Sequence, residues 1–468
     1  MIHSASIPIG TPMDPNKISF GTDGIRGCVN TVLTPTLAMQ IGYWFSQVLI
    51  NKGPILIGMD SRNSSSMLSS ALSAGINASG CEVWNLGLCP TPAVPGLIRR
   101  FSLAGGFMVS GSHNPPQDNG IKMFGPEGTK VGKAEQQRIE TKLKRGLNTS
   151  NSFPVNEGYY HYGCTYQRHD LLEFYRNSLL DSVHNQHLNG LKIVLDLCWG
   201  SATICGAELF QALGATVISL HPEPNGLKIN IKCGSTYLKP LQQAVIENNA
   251  DMGFSFDGDA DRMLAVDSQG RILDGDHLLY LWGSELMKKG RLPENRVVST
   301  VMSNLAFEKR WHSQGGLLER TSVGDQYVCE AMTNTGAALG GEQSGHIISV
   351  QNGMSGDGLL TALQVGTLIQ ASGTSLSSWM DSSFVAYPQS LLSVRISAPY
   401  LRHKWQQSDQ VRRVLEEGKA AMSDNGRILI RPSGTEPIVR IMVEAVNKEI
   451  VDYWSAKLAI AIEASFNS

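Results

Sequence analysis

Short apolar runs alternate with helix-like stretches along most of this 468-residue chain, and no other feature limits its fold so strongly. Residues 54–60 (PILIGMD) read as a buried strand, 64–79 as a helix and 81–86 as the next strand, with helix N-cap candidates among the polar residues 61–66. The run 105–109 (GGFMV) is a further strand, and 110–116 (SGSHNPP) is a loop because proline pushes the residue before it out of the helical region. The theme recurs with strands at 191–195, 215–219 and 251–256. It returns with helices at 276–289, 304–314 and 357–371 around a strand at 297–301. Beyond 371 the pattern changes to strands at 390–396, 427–430 and 439–445, with helices at 407–421 and 449–463. Strand–helix alternation with right-handed crossovers implies mixed or parallel sheets covered by helices. The fold class is therefore α/β: three similar α/β domains with mixed sheets, plus a smaller C-terminal α+β domain, around a central cleft.

Length alone suggests about three domains, at roughly 150 residues each; the pattern predicts four. The predicted boundaries are 18–160, 161–265, 266–380 and 381–468, after an N-terminal extension over 1–17. Lys and Arg number 39 against 41 Asp and Glu, a net charge of −2, so bulk electrostatics recommend no nucleic acid as partner. No run approaches the ~18–20 apolar residues of a membrane helix, and the start lacks the basic and apolar regions of a signal peptide. Eight cysteines are scattered without C-x-x-C spacing, which argues against a zinc site or a disulfide framework and for a reducing cytoplasm. A homodimer is compatible with this reading, though no residue pattern demands one.

Four loops carry the chemistry. In Phe256-Asp-Gly-Asp-Ala-Asp-Arg262, three carboxylates (Asp257, Asp259, Asp261) sit at alternate positions after an apolar strand and repel unless a cation offsets them. An EF-hand loop would need Gly and Glu where Arg262 and Ser268 stand; three oxygen donors with room for a phosphate suit Mg²⁺. In Ser110-Gly-Ser-His-Asn-Pro-Pro116, Ser112 has His113 beside it in a proline-bounded turn, without the G-x-S-x-G elbow of an α/β-hydrolase. A phosphate carried on such a serine would place charge beside the metal, so the two loops explain each other. Arg431-Pro-Ser-Gly-Thr-Glu-Pro437 offers a guanidinium fork, hydroxyls and a glycine for a phosphate, and Phe20–Gly27 presents Arg26 in a glycine-framed loop. In Gly340-Gly-Glu-Gln-Ser-Gly-His346, residues 342, 344 and 346 would share one face of an extended chain, a grip for vicinal sugar hydroxyls.

Taken in this order, the loops resemble those of the α-D-phosphohexomutase family over nearly the whole chain, from about Ile18 to the C-terminal helix. The resemblance implies four domains around a cleft, a phosphoserine enzyme and one Mg²⁺. By motif position, Ser112 matches the phosphorylated serine, and Ser112, Asp257, Asp259 and Asp261 the metal ligands. Arg26, His113 and Lys122 match positions near the reacting phosphate, with Lys122 the expected general acid/base, helped by a partly depressed pKa. Arg262, Glu342, Ser344 and His346 match substrate contacts, and Arg431, Ser433, Gly434 and Thr435 the distal phosphate clamp. Gly-Thr-Asp-Gly-Ile-Arg-Gly, Pro90–Val94, Cys233–Thr236, Val301–Asn304, Gly-Glu-Gln-Ser-Gly-His and Gly356-Asp-Gly358 are closest to the aminosugar branch. That likeness implies interconversion of glucosamine 6-phosphate and glucosamine 1-phosphate through glucosamine 1,6-bisphosphate, feeding UDP-N-acetylglucosamine synthesis. The alternative within the family is a phosphomannomutase/phosphoglucomutase. From another class it is a metal-dependent sugar nucleotidyltransferase, which would leave Ser112 and the clamp without work. Gly111, Gln326 and Tyr237 depart from the branch, where Ala, Arg and His are usual.

Overall fold

The computed structural model describes residues 20–21, 23–49, 53–148, 161–351, 353–396, 399–433 and 437–467. The extension over 1–17, most of the polar stretch near 147–166, and Gly434 and Thr435 of the expected phosphate clamp lie outside these residues. Two compact units emerge. The first runs to Val301 and resumes over Glu319–Met380; the second takes Met302–Leu318 and the chain from Asp381 onward.

In the first unit a six-stranded sheet is ordered Ile25–Cys28, Asp118–Phe124, Gly105–Val109, Ile55–Met59, Val83–Leu88, Thr165–Gln167. Its inner strands Ile55–Met59, Val83–Leu88 and Gly105–Val109 are parallel, as short apolar runs separated by helices require. The helices Pro35–Val48 and Ser65–Ala78 cover one face. Leu37, Ile41 and Phe45, and likewise Leu68, Leu72 and Ile76, recur every four residues, so each set forms one buried stripe. The rings of Phe45 and Phe107 meet at 4.4 Å between centroids. Thr34 caps the first helix by accepting from Leu37 N, but Ser64 makes no side-chain cap bond to the second. The hydroxyls of Ser64 and Ser65 both accept from Asn119 Nδ2, and Ser65 Oγ also donates to Asp60 Oδ1. These two cap candidates therefore bind Asn119, at the start of the strand Asp118–Phe124, and Asp60.

Antiparallel pairs place the functional loops. Asp118–Phe124 runs against Gly105–Val109 with Met108 opposite Lys122, so residues 110–117 form a hairpin connection. Met252–Phe256 pairs antiparallel with Met263–Asp267, making the acidic segment a six-residue turn in a five-stranded sheet. Four further strands, Arg296–Thr300, Leu339–Gly341, Ile347–Ser349 and Gly353–Gly356, follow one another in a third sheet, and residues 342–346 turn between Leu339–Gly341 and Ile347–Ser349.

The second unit is a three-stranded antiparallel sheet, ordered Gln389–Arg395, Ile438–Ala445, Gly426–Pro432, packed against the helices Asp409–Met422 and Lys448–Asn467. The helix Leu305–Ser313 belongs with it. Leu305 N donates to Glu444 Oε1 at 2.6 Å, and Arg427 Nε donates to Oε2 of the same fully buried carboxylate at 2.6 Å.

A buried carboxylate begins the long helix Gly358–Ser372. Asp357 Oδ1 accepts from Leu360 N at 3.0 Å, and Oδ2 accepts from Tyr175 Oη at 3.0 Å. Burial outweighs both bonds and raises its pKa to about 6. A carboxyl whose folded pKa exceeds its unfolded value of about 4 adds stability below pH ~4 and loses it as pH rises through ~6. Asp357→Asn keeps a cap acceptor and a Tyr175 partner without the ionisation. The melting temperature of this variant, relative to the parent, should therefore rise between pH 4 and pH 7 by the equivalent of a few kcal/mol. Parallel pH profiles of the two proteins would contradict this.

Candidate active site

Ser112 lies at the tip of the 110–117 loop, fully buried, with φ of +50°. A serine in the left-handed region costs on the order of 1–3 kcal/mol and persists only where its surroundings impose it. Its hydroxyl donates to Asp257 Oδ2 at 2.7 Å and stands 3.4 Å from His113 Nδ1. Gly258, next in the acidic turn, is where the two loops touch: a Cβ there would come within 2.8 Å of the Ser112 carbonyl oxygen.

Asp257, Asp259 and Asp261 are all buried, with one ligand-capable oxygen of each within 4.8 Å of the others. The repulsion anticipated from their spacing is met by Lys122, at 1% exposure, whose Nζ donates to Asp259 Oδ2 at 2.7 Å and Asp261 Oδ2 at 2.6 Å. Burial alone would raise all three carboxyls. Against it, Lys122 holds Asp259 below its ordinary value, and Lys122 with His346 holds Asp261 well below. Asp257 lacks such a partner, and burial and its two neighbours push it well up. Thr91, which sequence reasoning did not single out as a site residue, donates from Oγ1 to Asp259 Oδ2 at 2.5 Å and from its backbone to Asp259 O.

The expected depression of the Lys122 pKa is not found. Burial lowers it, but Asp259 and Asp261 outweigh burial and push it up to about 12, so Lys122 stands as an ammonium. His113 shifts the other way. Burial, Arg262 and Arg26 lower it to about 4 and keep its imidazole neutral at pH 7. Arg26, on the strand Ile25–Cys28, pairs with Asp23. Arg262 follows the triad, and its backbone N donates to Asp257 Oδ1 at 3.2 Å.

The 342–346 segment is a tight turn closed by Gly345 N to Glu342 O at 2.9 Å, with Gly345 at φ +89°. Glu342, Ser344 and His346 therefore do not share one face of an extended strand, contrary to the period-two reading. Glu342 Oε1 accepts from Gly324 N at 3.1 Å, and Ser344 is half-buried. His346 is buried and turned inward: Gly356 N donates to its Nε2, which leaves Nδ1 facing Asp261 Oδ1 at 3.6 Å. Arg26, Ser112, His113, Lys122, the triad, Arg262 and the 342–346 turn all belong to the first unit. Arg431 and Ser433 lie in the second, on and just beyond the strand Gly426–Pro432.

The site fits a divalent cation by its unmet acceptors. Asp259 Oδ1 and Asp261 Oδ1 are buried without a hydrogen-bond partner, and Arg26 Nε and Arg262 Nε are donors in the same condition, suited to phosphate oxygens. All-oxygen donors favour a hard ion such as Mg²⁺.

The known proteins that this chain matches are phosphohexomutases, isomerases that relocate a phosphoryl group on one hexose. Residues 17–150, 173–270 and 274–387 match phosphoglucomutase/phosphomannomutase α/β/α domains I, II and III, and 391–461 match the C-terminal domain. The chain belongs to the phosphoglucomutase/phosphomannomutase family. It is 57% identical, over 97% of its length and 98% of the relative's, to a protein of Synechococcus sp. (strain CC9311) named phosphoglucosamine mutase. One of the same name from Prochlorococcus marinus (strain MIT 9313) is 55% identical over 100% of this chain and 99% of the relative. Among solved structures, a family member from Burkholderia thailandensis superposes with a TM-score of 0.76 at 23% identity, covering 95% of this chain and 97% of its own. Aspergillus fumigatus N-acetylphosphoglucosamine mutase, solved with GlcNAc-6P and magnesium, gives 0.69 at 18% identity, covering 96% of each chain.

Mg²⁺ at a hundred times its dissociation constant should stabilise the protein by about 2.7 kcal/mol, read as a rise in melting temperature. Asp259→Asn should abolish most of that rise. An equal Mg²⁺-induced shift in parent and variant would contradict the triad as the metal site.

Proposed function

We propose that this chain interconverts glucosamine 6-phosphate and glucosamine 1-phosphate through phospho-Ser112 and glucosamine 1,6-bisphosphate. The observation that carries the reading is the buried Ser112 hydroxyl, 2.7 Å from Asp257 Oδ2 in a pocket of matched carboxylates and cations. Full-length relatives above 50% identity named phosphoglucosamine mutase support the choice of sugar.

Phosphoryl transfer asks a protein for positioning and charge compensation more than for covalent chemistry. A hydroxyl oxygen of the sugar attacks the phosphorus of phospho-Ser112; the new O–P bond forms as the Ser112 Oγ–P bond breaks. The bisphosphate then turns around, and Ser112 Oγ attacks its other phosphorus, releasing the isomer. Over the transfer to sugar, the proton lost by the hydroxyl ends on Ser112 Oγ. On the return, neutral His113 Nδ1, 3.4 Å from Ser112 Oγ, stands beside it to accept that proton. Lys122, as an ammonium, is set to donate to the sugar oxygen that leaves phosphorus; to act as the base in the other direction it must already have given up that proton, which its pairing with Asp259 and Asp261 opposes. Asp257, Asp259 and Asp261, with Ser112, would hold Mg²⁺, which when bound neutralises charge at the transferring group. Arg26 and Arg262 would receive phosphate oxygens on their unmet donors. Glu342 and Ser344 are assigned to the sugar hydroxyls, and Arg431, Ser433, Gly434 and Thr435 to the phosphate that is not reacting.

The reading places the protein in a reducing cytoplasm, on the ground that its eight cysteines are scattered without C-x-x-C spacing. Those residues include no helix long and apolar enough to cross a membrane.

Two measurements test the reading. Ser112→Ala should lower kcat by at least about 10³, the scale seen when a nucleophile is removed; near-parental turnover would refute a phosphoserine route. Glucosamine 6-phosphate should exceed glucose and mannose 6-phosphates in kcat/KM by about tenfold or more, some 1.4 kcal/mol. Preference for mannose 6-phosphate by that factor would overturn the aminosugar assignment.

A further inference from the structure

Ser112 is held in its left-handed conformation from both ends of its own peptide, on the carbonyl side by two residues outside the loop motifs. We propose that Arg62 and Asn230 are positioning residues for phosphoryl transfer, a carbonyl clamp that aims Ser112 Oγ at the acidic triad. The proposal rests on the reading of Ser112 as phosphoryl carrier.

Arg62 is 2% exposed, and every nitrogen of its guanidinium is spent. Its Nε donates to Asp60 Oδ2 at 2.9 Å. Nη2 donates to the carbonyls of Ser112 at 2.8 Å and Asn114 at 2.7 Å; Nη1 donates to those of Pro115 at 2.5 Å and Asp118 at 2.9 Å. One planar group thus fixes three carbonyls of the serine loop and that of Asp118, where the next strand begins, a geometry that a lysine ammonium, with three donors on one atom, does not reproduce. The N–H side of Ser112 is tied to the same anchor. Ser112 N donates to Ser110 Oγ at 2.8 Å, and Ser110 Oγ donates to Asp60 Oδ2 at 2.8 Å. From the second sheet's side, Asn230 Nδ2 donates to Ser112 O at 2.7 Å and Asn114 O at 3.0 Å, doubling the bonds on two of those carbonyls.

Gly111 explains how the guanidinium lies so close. A Cβ at this position would meet Arg62 Cζ at 2.8 Å and Nε at 2.9 Å. The glycine that departs from the aminosugar branch is thus where the loop backbone rests on the clamp. Arg62 and Asn230 bond the backbone carbonyls of the loop and not the serine hydroxyl, so their effect passes through the backbone to the direction of Oγ. Misplacing a reacting atom by about 1 Å can cost about 10²-fold in rate.

The test charges the full-length parent, Arg62→Lys and Asn230→Ala with glucosamine 1,6-bisphosphate and counts phosphate on Ser112 by intact mass. The single-turnover rate of transfer to glucosamine 6-phosphate is then measured with Mg²⁺ and expressed per phosphorylated site. That normalisation removes any loss of folded protein, so a merely structural defect leaves the rate unmoved. Arg62→Lys should be slower by about 10²-fold and Asn230→Ala by about tenfold, with the half-saturating sugar concentration unchanged. Per-site rates within threefold of the parent in either folded variant overturn the clamp; should Arg62→Lys fail to fold, Asn230→Ala decides alone. A parent that takes no phosphate on Ser112 would instead sink the carrier reading, and the clamp with it.

Discussion

Three carboxylates in one buried six-residue turn are the constraint on which the rest of the site depends. Water is excluded, so their mutual repulsion must be met by protein charge, by a proton or by a bound cation. The structure meets it with Lys122 across Asp259 and Asp261, and with a strongly raised pKa at Asp257. Lys122 can reach them because Asp118–Phe124 runs antiparallel beside Gly105–Val109, which brings the lysine next to the loop carrying Ser112. The serine, its countercharge and the triad are thus consequences of two adjacent antiparallel turns. A cation held there would find Asp259 Oδ1 and Asp261 Oδ1 buried and without hydrogen-bond partners.

Much of this was legible in the chain, for reasons that differ by element. The strand Gly105–Val109 has the bounds its sequence predicts, since five apolar or small residues ending at a proline-bounded loop leave little choice. The three acidic positions were equally plain, because like charges at alternate positions have few uses in a folded chain. The sequence pattern does not mark Asp118–Phe124 as a strand. Gly120 and the buried Lys122 break its apolar run, and a lysine is judged solvent-exposed until its partners, more than a hundred residues away, are known. The same distance hid Arg62 and Asn230, whose bonds to the serine loop span 50 to 118 residues and leave no local periodicity.

Two expectations failed on local grounds. Period-two logic put Glu342, Ser344 and His346 on one face, but Gly345 allows a tight turn and sends His346 inward to Asp261. The pKa expected of Lys122 followed from its supposed task, whereas the value follows from its two carboxylate partners. Of the three departures from the aminosugar branch, Gly111 has a structural account in the Arg62 contact, and Tyr237 is exposed. Nothing in the structure explains Gln326.

The central claim is that the phosphoryl group travels by way of Ser112. The most direct measurement mixes unlabelled phosphoenzyme with glucosamine 6-phosphate carrying isotopically labelled phosphate, stops the reaction after one turnover, and locates the label. Passage through Ser112 predicts labelled phosphate on the serine and unlabelled phosphate on the glucosamine 1-phosphate released. Label retained on the product, with Ser112 still carrying its original phosphate, would contradict the account.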